Sequence, residues 1–191
     1  MKKILILFLF IPLFSCNDWL NVEPEDSVTF VNYFKSEEEL KALHNGIASY
    51  MKNICIGKQP YFYNALDADN IEWTYQGFWT LDPDTYLPDE SMVLDVNWSG
   101  FYDAIYMANV MIENEYRFEN ISEERAKFWL GQAHFCKAMS YFRIAQIWGD
   151  APIAKGSESI APEGKRPALE VLEEAIREAK LALTLPVYEE L

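Results

Sequence analysis

Apolar residues in this chain recur at helical spacing in several blocks, and the blocks are separated by stretches without any periodicity. The longest block runs through Leu130 to Trp148 and is closed by Gly149-Asp150-Ala151-Pro152. At 100° per residue, Phe128, Phe135, Met139 and Phe142 fall on one side. Trp129, Cys136 and Ile147, with Leu130, Ala133, Ile144 and Trp148 beside them, cover much of the opposite side. This predicts one long central helix covered by neighbours from two directions. Its polar residues form two strips, Arg125, Gln132, Arg143 and Gln146 in one and Lys127, His134 and Lys137 in the other, unlike a one-faced surface helix. Gly131, Ala138 and Ala145 recur every seven residues and leave a groove for close helix approach. Ser122 is placed to cap the N-terminus, Glu123 and Glu124 face the positive end of the dipole, and Gly149 and Pro152 punctuate the other end.

Three further helices follow from the same pattern. Ser36 with Glu39 forms a capping box ahead of Leu40, Leu43, Ile47 and Tyr50, giving a helix to about Lys52 in which Gly46 marks close packing. Trp98 to about Glu115 carries Phe101, Ile105, Ala108 and Ile112 on one face, with Tyr102, Tyr106 and Asn109 beside it; the short link from Arg117 to Ile121 pairs it antiparallel with the central helix. After an irregular loop, Pro167 opens a last helix whose Leu172, Ala175, Ile176, Ala179 and Leu183 are expected to face the stack until Pro186 stops it, with Glu173 and Arg177 as an i, i+4 pair. Between the first two helices, Gly57 to Asn97 loses all periodicity. Aromatics alternate there with acids, as in a functional loop. The fold class is therefore all-α, a tetratricopeptide-like helical stack with a long irregular aromatic-rich insertion.

A length of 191 residues suffices for one domain, and the 50% hydrophobic content argues against disorder. The formal charge of −14 argues against nucleic acid as a partner. Met1-Lys2-Lys3, the apolar Ile4 to Leu13 and then Phe14-Ser15-Cys16 have the layout of a secretory signal, and the apolar run is too short to span a bilayer. Leu13-Phe14-Ser15-Cys16 resembles the bacterial lipobox, in which the cysteine is lipidated, so Cys16 is the expected anchor. Asn17 to Thr29 is polar and acidic with Pro24, and reads as a tether. This divides the chain into a leader (1–15), a tether (16–29) and a helical domain (30–191). Cys55 and Cys136 are expected to be free thiols, Cys136 as a small core residue.

The leader ending in Cys16, Trp19-Leu20-Asn21-Val22-Glu23-Pro24, Tyr33 to Glu39, Asn45-Gly46-Ile47, Trp98 with Phe101-Tyr102 and Ala108-Asn109, Gly131-Gln132-Ala133 to Tyr141-Phe142, Gly149 to Pro152, and Arg166-Pro167 to Leu185-Pro186 together resemble the N-terminal part of the SusD/RagB family. The resemblance implies a surface-exposed outer-membrane lipoprotein that binds an oligosaccharide or similar nutrient and caps a SusC-type TonB-dependent transporter, without enzymatic activity. Gln132, His134 and Cys136 stand where the family more often has an acid, an arginine and an aliphatic residue, so one salt bridge of the helical core is expected to be missing. Family members are usually longer, so this chain is expected to be a fragment or a truncated reading frame. It should then bind glycan weakly by itself and self-associate through an uncovered face of the last helix.

Sugar rings are held by flat apolar surfaces flanked by hydroxyl partners. The insertion supplies both: Trp73, Tyr75 and Trp79 are the stacking candidates, and Asp67, Asp69, Asn70 and Gln76 the hydrogen-bonding ones. Taken singly, each aromatic is better explained by gluing the loop to the helices; as a cluster they favour binding. Of the many acids, no pair has the setting of a glycosidase dyad. Asp67-Ala68-Asp69-Asn70 and Asp82-Pro83-Asp84 do not continue into an EF-hand loop. His44 and His134 lack ligands at zinc spacing, and there is no phosphate loop or nucleophile elbow, so no metal, cofactor or reaction is expected. The rival reading is a helical-repeat adaptor lipoprotein that binds only protein.

Overall fold

The computed structural model describes residues 33–56, 92–157 and 164–183. By its internal contacts the chain separates into Met1–Tyr33 and Phe34–Leu191, and the described helices belong to the second unit. They are α1 (Glu37–Ile56), α2 (Met92–Glu113), α3 (Glu123–Trp148) and α4 (Ala168–Ala182), with a 3-10 turn at Glu115–Arg117 before α3. Among the described residues there is no strand, only an antiparallel bridge between Ala151 and Arg166. The all-α stack expected from the periodicity is what forms.

Local sequence sets the helix starts. Glu39 N–H donates to Ser36 Oγ (3.4 Å) while Ser36 N–H donates to Glu39 Oε2 (3.2 Å), the reciprocal bonds of a capping box. At α3, Arg125 N–H donates to the Ser122 hydroxyl at 3.2 Å. Two boundaries lie beyond those read from the pattern. α1 continues to Ile56, past Lys52, and α2 begins at Met92, six residues ahead of Trp98. Both extensions contain isoleucines or valines, which are weak helix formers, and Asn97 has the character of a cap, so the pattern alone stops short.

α1, α2 and α4 pack around α3. Leu40, Leu43 and Ile47 of α1, Phe101, Ala104, Ile105 and Ala108 of α2, and Trp129, Ala133, Tyr141 and Ile144 of α3 are buried. Gly46 lets α1 approach α2 closely, since a Cβ there would lie 3.3 Å from the Met107 methyl carbon. His44 packs on the Trp129 ring (5.5 Å between centroids), and burial lowers its pKa below the ordinary histidine value. Where α1 begins, Glu37 accepts from Arg125 Nε (2.6 Å) and Trp129 Nε1 (3.1 Å), which ties α1 to α3.

The central helix is less completely covered than expected. Phe135 and Phe142 remain exposed, while the side carrying Trp129, Ala133, Cys136 and Ile144 and the flank carrying Gly131, Lys137 and Ala138 meet neighbours. α4 is also rotated from the anticipated face. It buries Val171, Ala175, Glu178 and Ala182, while Ile176, Ala179 and Leu183 are exposed and Leu172 is half-buried.

Glu178 supplies the reason. Its side chain is 1% exposed and takes His134 Nδ1 at 2.6 Å, Lys137 Nζ at 2.8 Å and Arg177 Nη2 at 2.5 Å. An acceptor-only carboxylate facing two cations requires the Nδ1 of His134 to carry a proton and donate it. The second polar strip of α3 thus meets Glu178 in a buried polar cluster under α4. Arg177 pairs with Glu174 (2.6 Å) and Glu178, not with Glu173.

Burial pushes the Glu178 carboxyl up, but the hydrogen bonds from His134 and Lys137 and the charges of Lys137 and Arg177 outweigh it and bring the pKa from 4.5 to about 2. A folded-state pKa below the unfolded value contributes stability that is present above about 4.5 and disappears as pH falls through about 2. Urea unfolding monitored by helical circular dichroism should show this loss in the parent chain between those values, and Glu178→Gln should lack that component. At neutral pH, Glu178→Ala leaves the buried Lys137 without its counter-ion and should cost about 3–5 kcal/mol, whereas replacing His134, Lys137 and Glu178 together by Leu, Met and Leu should recover most of it.

Candidate functional site

Helix directions place the insertion. Phe34 carbonyl accepts from Glu119 N–H (3.3 Å), so α1 starts beside the far end of α2 and the two run antiparallel. α1 and α3 run parallel, because Glu37 meets Arg125 near both starts and Ser140 Oγ donates to Met51 Sδ (3.4 Å) toward both ends. Gly149 lies beside Ala168, so α4 is antiparallel to α3. Ile56, Met92, Trp148 and Ala168 therefore share one end of the stack. Residues 57–91 leave and rejoin the helices there.

The described side chains at that end are aromatic. Trp98 meets Trp148 edge-on with centroids 5.1 Å apart and Tyr102 at 5.0 Å, and Phe101 meets Trp148 at 6.0 Å. Trp98 and Trp148 are half-buried. They form a firm apolar base at the root of the insertion. Sequence reading placed both only as helix residues; the signal available was that each tryptophan stands at an end of its apolar run.

The turn after α3 is built residue by residue. Gly149 takes φ 73°, ψ −107°, which favours glycine, and its N–H donates to Ala145 carbonyl (3.1 Å). Asp150 Oδ1 accepts from Ala168 N–H (2.9 Å) and caps α4 from outside, since Pro167 before it has no side chain able to do so. Ala151 and Arg166 exchange backbone bonds of 3.0 and 2.9 Å. Pro152 carbonyl accepts from Tyr102 Oη–H at 2.7 Å. Tyr141 Oη accepts from Ala154 N–H at 2.9 Å, and Glu113 accepts from both the N–H and the hydroxyl of Ser157. The chain from 150 to 157 thus lies along α2 and does not project. Burial pushes the Tyr102 and Tyr141 phenols well above the usual range, so both stay neutral donors and acceptors.

Trp73, Tyr75, Trp79, Asp67, Asp69, Asn70 and Gln76 lie outside the described residues, as does Cys16. Among the described residues no group of His, Cys, Asp and Glu is arranged to hold a metal ion. No described helix is long and apolar enough to cross a membrane. Cys136 is buried in the core.

A helical stack of this kind has known counterparts. Residues 18–187 match the SusD-like family described as "Starch-binding associating with outer membrane", and the chain belongs to that family. It is similar to the SusD-like protein P25 of Formosa agariphila, at 25% identity over 78% of this chain and 30% of that protein. It is also similar to the SusD-like protein P38 of the same organism, at 28% identity over 82% of this chain and 31% of that protein. A crystal structure of a SusD homologue from Bacteroides thetaiotaomicron superposes with a TM-score of 0.69 at 18% identity, covering 91% of this chain and 34% of the other, which establishes the shared fold. The chain spans about a third of the length of these relatives.

Gly149→Ala tests the turn. A Cβ there would meet nothing nearer than the Ala168 Cβ at 4.0 Å, so the cost is conformational. It should be about 1–2 kcal/mol in thermal unfolding.

Proposed function

We propose that this chain is the N-terminal helical part of a surface lipoprotein that captures an oligosaccharide and passes it to a SusC-like TonB-dependent transporter. The observation that carries the reading is the family match over residues 18–187, which runs from the tether through α4 and includes the insertion. The family is described by binding and by association with the outer membrane, not by a reaction. In this reading residues 1–15 are a leader, Cys16 carries the lipid, 16–29 form the tether and 30–191 the helical domain. Trp73, Tyr75 and Trp79 stack on sugar rings, while Asp67, Asp69, Asn70 and Gln76 take the hydroxyls. The protein needs no metal or cofactor for this, and no catalytic residue is assigned.

The energetics bound the affinity. Ring stacking contributes about 1 kcal/mol per aromatic beyond area burial, whereas micromolar binding needs about −8 kcal/mol. The 191-residue chain should therefore bind weakly. Screening it against an array of oligosaccharides, then titrating the best glycan by NMR, should give a dissociation constant weaker than about 1 μM that worsens roughly tenfold in Trp73→Ala or Trp79→Ala. Unchanged affinity in both variants would remove the stacking assignment. Capture of the transporter from membranes with no glycan bound on the array would instead establish a protein-binding adaptor.

Lipidation has its own test. Cys16→Ala should leave the leader uncleaved and abolish incorporation of labelled palmitate; a variant that is still fully processed and membrane-bound would refute the anchor.

A further inference from the structure

The α2 side chains that hold residues 150–157 form a row along one flank of that helix. At about 100° per residue, Tyr102, Asn109 and Glu113 fall within about 40° of one another. The outer two are accounted for: Tyr102 Oη–H donates to the Pro152 carbonyl at 2.7 Å, and Glu113 accepts from Ser157 N–H at 3.0 Å. From Tyr102 to Glu113 an α-helix rises about 16 Å, and extended chain covers about the same between Pro152 and Ser157. The segment therefore lies along α2 with little slack. Asn109, about two-thirds of the way from Tyr102 to Glu113, stands opposite Ala154 and Lys155.

Asn109 is 3% exposed, and its Nδ2 has no hydrogen-bond partner among the described residues. Native interiors seldom leave a buried donor unmet. Two groups opposite it are also short of a full bond. The Ala154 carbonyl, on a residue 9% exposed, receives the Tyr141 Oη–H at 3.4 Å. That is well beyond the roughly 2.7–2.8 Å of an ordinary O–H···O bond. The Tyr141 oxygen is engaged by Ala154 N–H at 2.9 Å, which leaves the hydroxyl hydrogen without a good acceptor. An amide donor, a phenol hydrogen and a carbonyl oxygen thus converge beneath the segment.

We propose that one ordered water molecule is bound there, accepting from Asn109 Nδ2 and Tyr141 Oη–H and donating to the Ala154 carbonyl. Buried waters typically make about three hydrogen bonds to polar groups that are otherwise unsatisfied, and these three groups supply them. An ion is the wrong ligand, because none of the three groups is charged and a buried ion needs a counter-charge. The water makes Asn109 a third rung between Tyr102 and Glu113. Because Tyr141 belongs to α3, it also ties the middle of the segment to two helices at once.

A crystal structure of the 191-residue chain, at a resolution that shows single waters, should place one within hydrogen-bond distance of all three atoms. Asn109→Leu discards the donor and the water together. With the helical circular dichroism unchanged, it should raise tryptic cleavage after the exposed Lys155 at least threefold, read by mass spectrometry of the fragments. Glu173→Gln, on the exposed side of α4, should leave that rate unchanged. A site empty of water in the parent crystal would overturn the proposal. So would a direct hydrogen bond between the Asn109 amide and the backbone of residues 153–156, since the water would then have no donor to meet. Cleavage after Lys155 that is no faster in Asn109→Leu would overturn the water's part in holding the segment.

Discussion

A carboxylate held almost out of reach of water between two helices has to be answered by cations at fixed positions, and in this protein that requirement sets how α4 lies on α3. Glu178 finds His134 and Lys137 one turn apart on α3 and Arg177 beside it on its own helix. Burying such a group costs several kcal/mol before its partners return anything, so the cluster adds little net stability compared with an apolar contact of the same shape. What it adds is orientation. Any rotation of α4 that brought Ile176 and Leu183 inward would carry Glu178 out and strand Lys137, which is 7% exposed in its side chain. The helix therefore buries the thinner line of Val171, Ala175 and Ala182 and turns its bulkier aliphatic line outward.

The same logic of paired polar groups fixes the ends of the stack. Glu37 is held low in pKa, first by its hydrogen bond from Arg125, and links the start of α1 to that of α3. Arg125 also lies over the Phe128 ring at 4.6 Å. At the opposite end the four residues from Gly149 to Pro152 each complete a different backbone requirement: a positive φ, a cap for α4, a bridge to Arg166 and an acceptor for Tyr102. Phe34 is buried at φ 78°, a conformation costly for a residue with a bulky side chain, and it is accompanied by stacking on Phe118 with centroids 6.1 Å apart.

The helices were legible because their signals are local: spacing of apolar residues, a serine three residues before a glutamate, a glycine before a proline. Ser36, Ser122, Gly46 and Gly149 all act as the sequence suggests. What was not legible depends on pairs far apart in the chain. Nothing near Leu172 or Ile176 says that Glu178 will be a buried residue of α4; that follows only from His134 and Lys137 about forty residues earlier, which the pattern shows simply as a polar strip. Phe135 and Phe142 likewise read as core because periodicity reports that a side is apolar, not that anything covers it. The weak helix formers before Trp98 hid the first turns of α2, because local propensity there is low. Of the binding site, the reading supplied residue types and a place in the chain, and the helix directions add that the segment carrying them is rooted beside Trp98 and Trp148.

The distribution of perturbed acids and bases bears on what such a stack does. Glu178 and Glu37 are lowered by their cations, Tyr102 and Tyr141 raised by burial, and His44 lowered by burial. Each is accounted for by a contact that holds helices or the 150–157 segment in place, and none of these carboxyls is raised toward neutrality as a general acid would need. The edge-on pair of Trp98 and Trp148 ties α2 to the end of α3, and the Glu178 cluster ties α4 to the middle of α3.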